Sequence, residues 1–283
     1  MKYGIKVIRS DGLIFDYDGD FRITSLKGAD FAPFEIFKQP RGVGSGDIIT
    51  GKRKSGRVIE IEAVSKKYIG LAYRNARNNI IGYHSIDYTY TLEITYIGLK
   101  RIAKDCVISA ISYPTERFEK NAIFKVAFSS PYPELFETNE TGINFSEKQA
   151  LWKYPHSFIE GKPLMFATEK AVNDKVISYQ GSSATQPVIK ITALGYVKNI
   201  KIKFGNTDIN INTELREGDI LLIDCSKSYA TLNDKILPFE NVGYFDFRNL
   251  KIDFGDTLIS INAEVGGNAI KTEVKYIGRF DGV

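Results

Sequence analysis

The sequence predicts a mainly β protein built as two β-sandwich-like domains, the first with one short helix and an extended arm. Three observations carry that expectation. Aromatic residues make up 12% of the chain and are nearly all Tyr and Phe, which suits pleated, half-buried surfaces better than helices. Short apolar alternations recur along the second half with turn residues between them and no helical period. A chain of 283 residues is long enough for two cores of roughly 140 residues each.

The elements follow in order. Ile5 and Val7 lead to the turn Ser10-Asp11-Gly12, and Leu13 to Phe15 return from it. Phe21 and Ile23 open a second strand running past Leu26 to Gly28. Residues 33–51 (PFEIFKQPRGVGSGDIITG) are rich in Pro and Gly and lack a burial pattern, so they read as an extended arm or long loop. Val58 to Ala63 alternates strongly and reads as a strand. Residues 73–83 (YRNARNNIIGY) are the helix candidate of this half. Tyr88, Tyr90, Leu92, Ile94 and Tyr96 alternate, turn at Gly98 and pair with a strand through Arg101, Ala103, Val107, Ser109 and Ile111. Residues 117–128 supply another strand. Pro131-Tyr132-Pro133 then stiffens the chain into an exit that cannot enter a central strand. The polar stretch 137–142 that follows reads as the boundary between domain 1–136 and domain 137–283, and a protease is expected to nick residues 139–142.

The second domain reads as closely spaced strands. Val188, Ile191 and Leu194 precede Ile200, Ile202 and Phe204, then Ile209 and Ile211, then Ile220 to Ile223. Gly195, Gly205-Asn206, Glu217-Gly218-Asp219 and Leu232-Asn233-Asp234 mark the reversals. Spacing of this kind indicates a β-sandwich.

Composition narrows the function classes. The net charge is +4, divided as +5 up to residue 138 and −1 beyond it. Lys52, Arg53 and Lys54 with Arg57 form the local basic cluster. It reads as a solvated basic loop, because nucleic-acid binders show a basic stripe interleaved with aromatics. The first residues hold no long apolar segment, which predicts a chain without a signal peptide, and no apolar run is long enough to span a membrane. Cys106 and Cys225, far apart in sequence, read as reduced core residues.

Gly46 to Lys52 has the spacing of a phosphate-binding loop until its last position, where Arg53 replaces the needed hydroxyl, and a strand rather than a helix follows. Asp16, Asp18 and Asp20 resemble the start of a calcium loop, but the sixth and twelfth positions hold Phe21 and Lys27 instead of Gly and Glu; an acidic hairpin tip is the reading. His84 and His156 have no second ligand at metal spacing; His84 reads as a turn or interface residue, and His156 as part of aromatic packing beside Trp152. No strand–turn–helix nucleophile elbow is visible, and nothing singles out two carboxylates for glycoside hydrolysis. No catalytic, cofactor or metal residue is therefore assigned.

The order of pieces in residues 186–253 carries a resemblance. A Pro-led strand, a paired hairpin, "EGDILLIDC", a turn and an aromatic strand resemble the C-terminal half of siphophage and prophage distal tail proteins. In the first half, "GDIITGKRKSGRVIEIEA" (residues 46–63) looks like that family's loop into its first long ring strand. "TLEITYIGLKRIAKDCVISAI" (residues 91–111) looks like the following hairpin, and "KVAFSSPYPELFE" (residues 125–137) like the exit from its N-terminal domain.

The resemblance implies a non-enzymatic tail-tip hub. N-terminal domains would form a homohexameric ring against the major tail tube protein. Galectin-like C-terminal domains would project outward, with a tail-associated lysin or fibre protein docked below. The protein would sit at the virion tail tip, pass DNA through its lumen without specific binding, and need neither cofactor nor membrane. The arm residues Phe34, Ile36, Phe37, Val43, Ile48 and Ile49 become candidate subunit contacts, because apolar residues on a loop need a partner surface. The rival reading is a lectin-like adhesin that binds a cell-wall glycan through the second domain, with Trp152 as weak support.

Overall fold

A computed structural model describes residues 3–66, 70–113, 123–150, 167–243 and 245–283. Strand accounts for 61% and helix for 10%, far from the roughly 20–25% strand of an average domain, so the class is mainly β as expected. The chain divides into two compact units, Met1–Thr138 with Arg279–Val283, and Asn139–Gly278. The sequence had assigned all of 137–283 to the second domain. Its last five residues pack with the first unit instead, through contacts described below.

Unit 1 contains strands β1 (Tyr3–Arg9), β2 (Ile14–Asp16), β3 (Phe21–Lys27), β4 (Phe34–Pro40), β5 (Asp47–Lys54), β6 (Arg57–Ser65), β7 (Tyr90–Tyr96), β8 (Leu99–Ser112), β9 (Ile123–Ser130) and the start of β10 (Leu135–Asn144). Its helices are α1 (Tyr17–Asp20) and α2 (Gly70–Tyr83). One sheet runs β2-β1-β7-β8 and a second runs β3-β6-β9-β8. The long strand β8 serves both. Up to Cys106 it pairs with β7, and from Val107 it pairs with β9. Between Ala103 and Cys106 the register shifts, and Asp105 takes φ 53°. A bulge of this kind adds twist and re-aims the strand, which lets one strand turn the corner between two sheets.

The core lies between those sheets. Ile5, Val7, Leu92 and Ile94 face Ile59, Ile61, Val126 and Phe128, all buried. Helix α2 adds Ala76, Ile80 and Tyr83, whose spacing of four and three puts them on one helical stripe. The sequence located this helix correctly, three residues short at its start. The turn at Gly98 is also as expected, with φ 47° at Ile97 and 80° at Gly98, the mirror-image turn that matches strand twist.

Three expectations need correction. Residues 16–20 form a helical turn, not a hairpin tip: Asp16 caps α1 by accepting from the Asp18 backbone N–H at 2.9 Å. The arm is not a loop, because β4 and β5 pair along their whole length. Of the strand expected over 117–128, residues 117–122 lie outside the described residues and 123–128 are strand, as the first part of β9. The polar stretch 137–142 is no linker either: it lies inside β10, where Phe136 pairs with Ile102. Alternating burial was too weak there to mark a strand, so its backbone pairing was invisible in the sequence. Limited proteolysis is therefore expected to spare residues 139–142 and to cut first at Arg41, in the exposed turn 41–46 between β4 and β5. Peptide mapping of early tryptic fragments checks this, and first cleavage near residue 140 would contradict it.

Unit 2 is a two-layer antiparallel sandwich. One sheet runs β19 (Lys235–Ile236), β18 (Tyr229–Leu232), β17 (Ile220–Asp224), β14 (Val188–Ala193) and β21 (Ile270–Phe280). The other runs β13 (Asp174–Tyr179), β20 (Gly255–Val265), β15 (Val197–Phe204) and β16 (Thr207–Leu215). A separate pair joins β11 (Ser146–Ala150) to β12 (Ala167–Ala171). Ile189, Ile191, Leu221 and Ile223 of the first sheet pack with Ile200, Ile202, Ile211, Ile259 and Ile261 of the second. Odd-numbered residues of β14 and, from Ile200 on, even-numbered residues of β15 are buried, the period-2 pattern that fixes register. At the β18–β19 turn both Asn233 and Asp234 have positive φ, 50° and 65°. Asn233 also accepts from the Ile220 N–H at 2.9 Å and donates to Asp219 at 2.9 Å. The buried thiols of Cys106 and Cys225 are free, and burial pushes each up to about 12.

Candidate assembly interface

The arm is a hairpin whose two strands, among the described residues, pair only with each other. Its base is closed by the Ser55 N–H donating to the Pro33 carbonyl at 3.0 Å. Phe34, Ile36, Phe37, Val43, Ile48 and Ile49 are all exposed, Val43 to 95%. Successive strand residues point to opposite faces, so the neighbours Ile36 and Phe37 lie on opposite sides, as do Ile48 and Ile49. Apolar side chains thus occur on both faces of the hairpin. Lying flat on its own domain would cover at most one of them.

The basic cluster separates into three environments. Lys52 is exposed on β5 opposite Ile36. Arg53 pairs with Glu35 across the hairpin at 2.9 Å and lies 5.8 Å from the Phe37 ring centre. That ring lies close against Gly51, where an added Cβ would meet it at 3.3 Å; the glycine serves hairpin packing, not phosphate binding. Lys54 reaches Asp281 at 2.5 Å and Glu134 at 3.9 Å. Arg57, assigned to this loop from sequence, is fully buried. Its guanidinium donates to the carbonyls of Pro133 (2.9 Å), Gly28 (2.6 Å) and Asp281. Burial lowers its pKa, opposed by the carboxylates of Asp281, Asp30 and Glu134, and the group stays cationic because arginine starts so high.

The exit Pro131-Tyr132-Pro133 belongs to the same region. The Pro133 carbonyl receives Arg57, Tyr132 sets its ring edge-on to Phe136 at 5.4 Å, and the Tyr132 N–H donates to the Ser130 hydroxyl at 3.3 Å. Sequence reasoning found the prolines and the arginine separately. Nothing in the linear order connects them.

His84 also differs from expectation. It is buried in an aromatic cage of Phe15, Tyr17, Tyr83, Tyr90 and Phe128. Nδ1 lies 2.7 Å from the Ile80 carbonyl and Nε2 lies 2.8 Å from the Tyr17 hydroxyl. A carbonyl can only accept, so Nδ1 carries the proton and Nε2 accepts from Tyr17. The neutral ring is fully satisfied, and burial pushes its pKa down to about 4. His156 and Trp152 lie outside the described residues.

Among the described residues no cluster of His, Cys, Asp or Glu could hold a metal ion, and no helix is long and apolar enough to cross a membrane. Unit 2 carries an open cleft of about 490 Å³ lined by residues that include Tyr229, Ile236, Phe245, Asp246 and Arg248. Asp246 and Arg248 are locked to each other at 2.8–2.9 Å, which holds the Asp246 carboxylate well below the usual range.

Residues 180–280, which make up most of this sandwich, match the family described as siphovirus-type tail component, C-terminal domain. The distal-tail resemblance in the chain's order of motifs is borne out by this match. Along its length it shares the fold of the SPP1 Dit (gp 19.1) protein, described as a paradigm of hub adsorption apparatus in Gram-positive infecting phages. The TM-score is 0.68 at 10% identity, covering 98% of this chain and 99% of that one. Two structures of the phage P2 baseplate in its activated conformation, with Ca and with Sr, align at 13% identity over 97% of this chain and 98% of theirs. Their TM-score is 0.42. No curated protein sequence matches the chain.

Proposed function

We propose that this protein is a distal tail protein acting as a hub at the siphophage tail tip. In this reading six copies form a ring, unit 1 builds the ring against the major tail tube protein, and a tail-associated lysin or fibre docks below. The role is mechanical, without catalysis, cofactor or specific nucleic-acid binding. Lys54 and Arg57 support that view, since both are engaged within the protein rather than held out to grip phosphates.

The observation that carries the proposal is the arm: six exposed apolar side chains on a hairpin whose two faces both need cover. Exposed apolar surface of this sort marks an interface, and a second copy of the chain is the occupant always present at matching concentration. A stable ring contact should bury on the order of 2,000 Å² per pair.

Light scattering and native mass spectrometry across a rising concentration series are expected to show a hexamer, with the Arg41 bond becoming trypsin-resistant as it forms. The double change Phe37→Ser and Ile48→Ser should weaken assembly by about a hundredfold, since loss of two anchors of this size removes roughly 3 kcal/mol. A strict monomer or a closed dimer with the arm folded back would contradict the reading. So would a double variant that assembles like the parent.

A further inference from the structure

We propose that the C-terminal five residues, Arg279–Val283, are a latch that sets the direction of the arm, and that assembly through the arm depends on them. The inference rests on the reading of the arm as the subunit contact.

Among the described residues the hairpin has no sheet neighbour beyond its own two strands, so its direction is determined at the base. The chain terminus holds that base from both sides. Ahead of β4, the Val283 N–H donates to the Ala29 carbonyl at 3.0 Å, and Gly282 lies so close to Asp30 that a Cβ would sit 1.8 Å from its carbonyl oxygen. Behind β5, the Asp281 side chain takes Lys54, the last residue of the arm, at 2.5 Å. The Asp281 carbonyl takes Arg57, the first residue of β6, and Arg57 ties this point to Gly28.

Two further glycines permit the close approach. Gly28, at φ 77°, would place a Cβ 1.9 Å from the Val58 carbonyl oxygen, and Gly56 would place one 2.8 Å from that of Ser130. Phe280 adds a stacked contact, with the Arg101 guanidinium 3.6 Å from its ring centre. Three residues of the tail therefore touch both entry and exit of the arm. Strands of seven and eight residues make a lever of roughly 25 Å, so a swing of about 20° at the base carries the tip roughly 9 Å, enough to miss a partner surface.

The test uses the full chain with Asp281→Lys, Lys54→Glu, the charge-swapped pair of both, and a chain ending after Phe280. Spin labels on Val43→Cys and Ile86→Cys report the arm-to-body distance in the monomer; both native cysteines are buried. Native mass spectrometry reports assembly, and circular dichroism confirms folding.

The expected result is a narrow distance distribution in the parent, broadened in Asp281→Lys and in the shortened chain. The concentration needed for assembly should rise by about tenfold or more, and both properties should recover in the swapped pair. An unchanged distribution in Asp281→Lys and the shortened chain overturns the latch, whatever assembly does. Unchanged assembly despite a broadened arm overturns it as well. The reading of the arm itself is judged separately, by whether the Phe37 and Ile48 changes affect assembly.

Discussion

Arg57→Ala is expected to destabilise unit 1 by on the order of 3–5 kcal/mol, because removing a buried, fully bonded charged group leaves its partners uncompensated. Three carbonyls, of Gly28, Pro133 and Asp281, lose their donor at once. A unit of this size should then melt roughly 10–20 °C lower. Arg57→Met separates volume from hydrogen bonding, since it refills the space but leaves the three acceptors bare; it should recover less than half of the loss. Arg57→Lys keeps the charge without the planar fork and cannot reach three diverging acceptors, so it should lie between. Amide exchange resolved by residue is the suitable measurement, because two units need not unfold together. Protection should fall in β6 and the C-terminal tail while β15 and β16 keep theirs. A melting temperature within 2 °C of the parent would refute the account.

Acidification should remove about 3 kcal/mol of stability through His84, because the folded and unfolded states take up its proton at very different pH. The folded protein holds this ring neutral down to about 4, whereas the unfolded chain protonates it near 6.5. The unfolded state therefore takes up the proton first as the pH drops. The contribution is complete above pH 6.5, declines between 6.5 and 4, and is gone below. The carboxylates held low by partners, among them Asp219, Asp224 and Asp246, lose their contribution at still lower pH, so the two windows are distinct.

Urea titrations between pH 7 and 4.5 should show stability falling steadily in the parent. His84→Gln keeps a donor for Ile80 and an acceptor for Tyr17 but cannot titrate. It should start less stable and show a nearly flat profile over that interval. Equal slopes in the two proteins would place the pH dependence elsewhere.

The strands were legible where burial alternates. Val58 to Ala63, Tyr90 to Tyr96 and Ile200 to Phe204 each expose one face and bury the other, so a period of two survives in the sequence. Turns were legible where the backbone demands a particular residue, as at Gly98, Gly205 and Asn233-Asp234, all at positive φ. The arm had no such mark. Its apolar residues sit side by side on both faces and are exposed, so no burial pattern distinguishes paired strands from loop. Residues 139–142 in β10 failed for the related reason that nearly all of their side chains are exposed or half-exposed.

By itself, then, the sequence determined the β class, the sandwich of the second half, the helix, and an order of motifs sufficient to indicate a tail component. Only the tertiary structure decided that Arg57 is a buried clamp and not a surface charge. It also decided that His84 is a neutral core residue and that the chain terminus returns to the first unit. Local patterns report local backbone preference and which face is wet. Arg57 and Asp281 are separated by 224 positions, and no periodicity or spacing rule connects residues that far apart. Whether a cation is solvated or enclosed by carbonyls depends on which distant backbone arrives beside it, and that is settled only when the chain has folded.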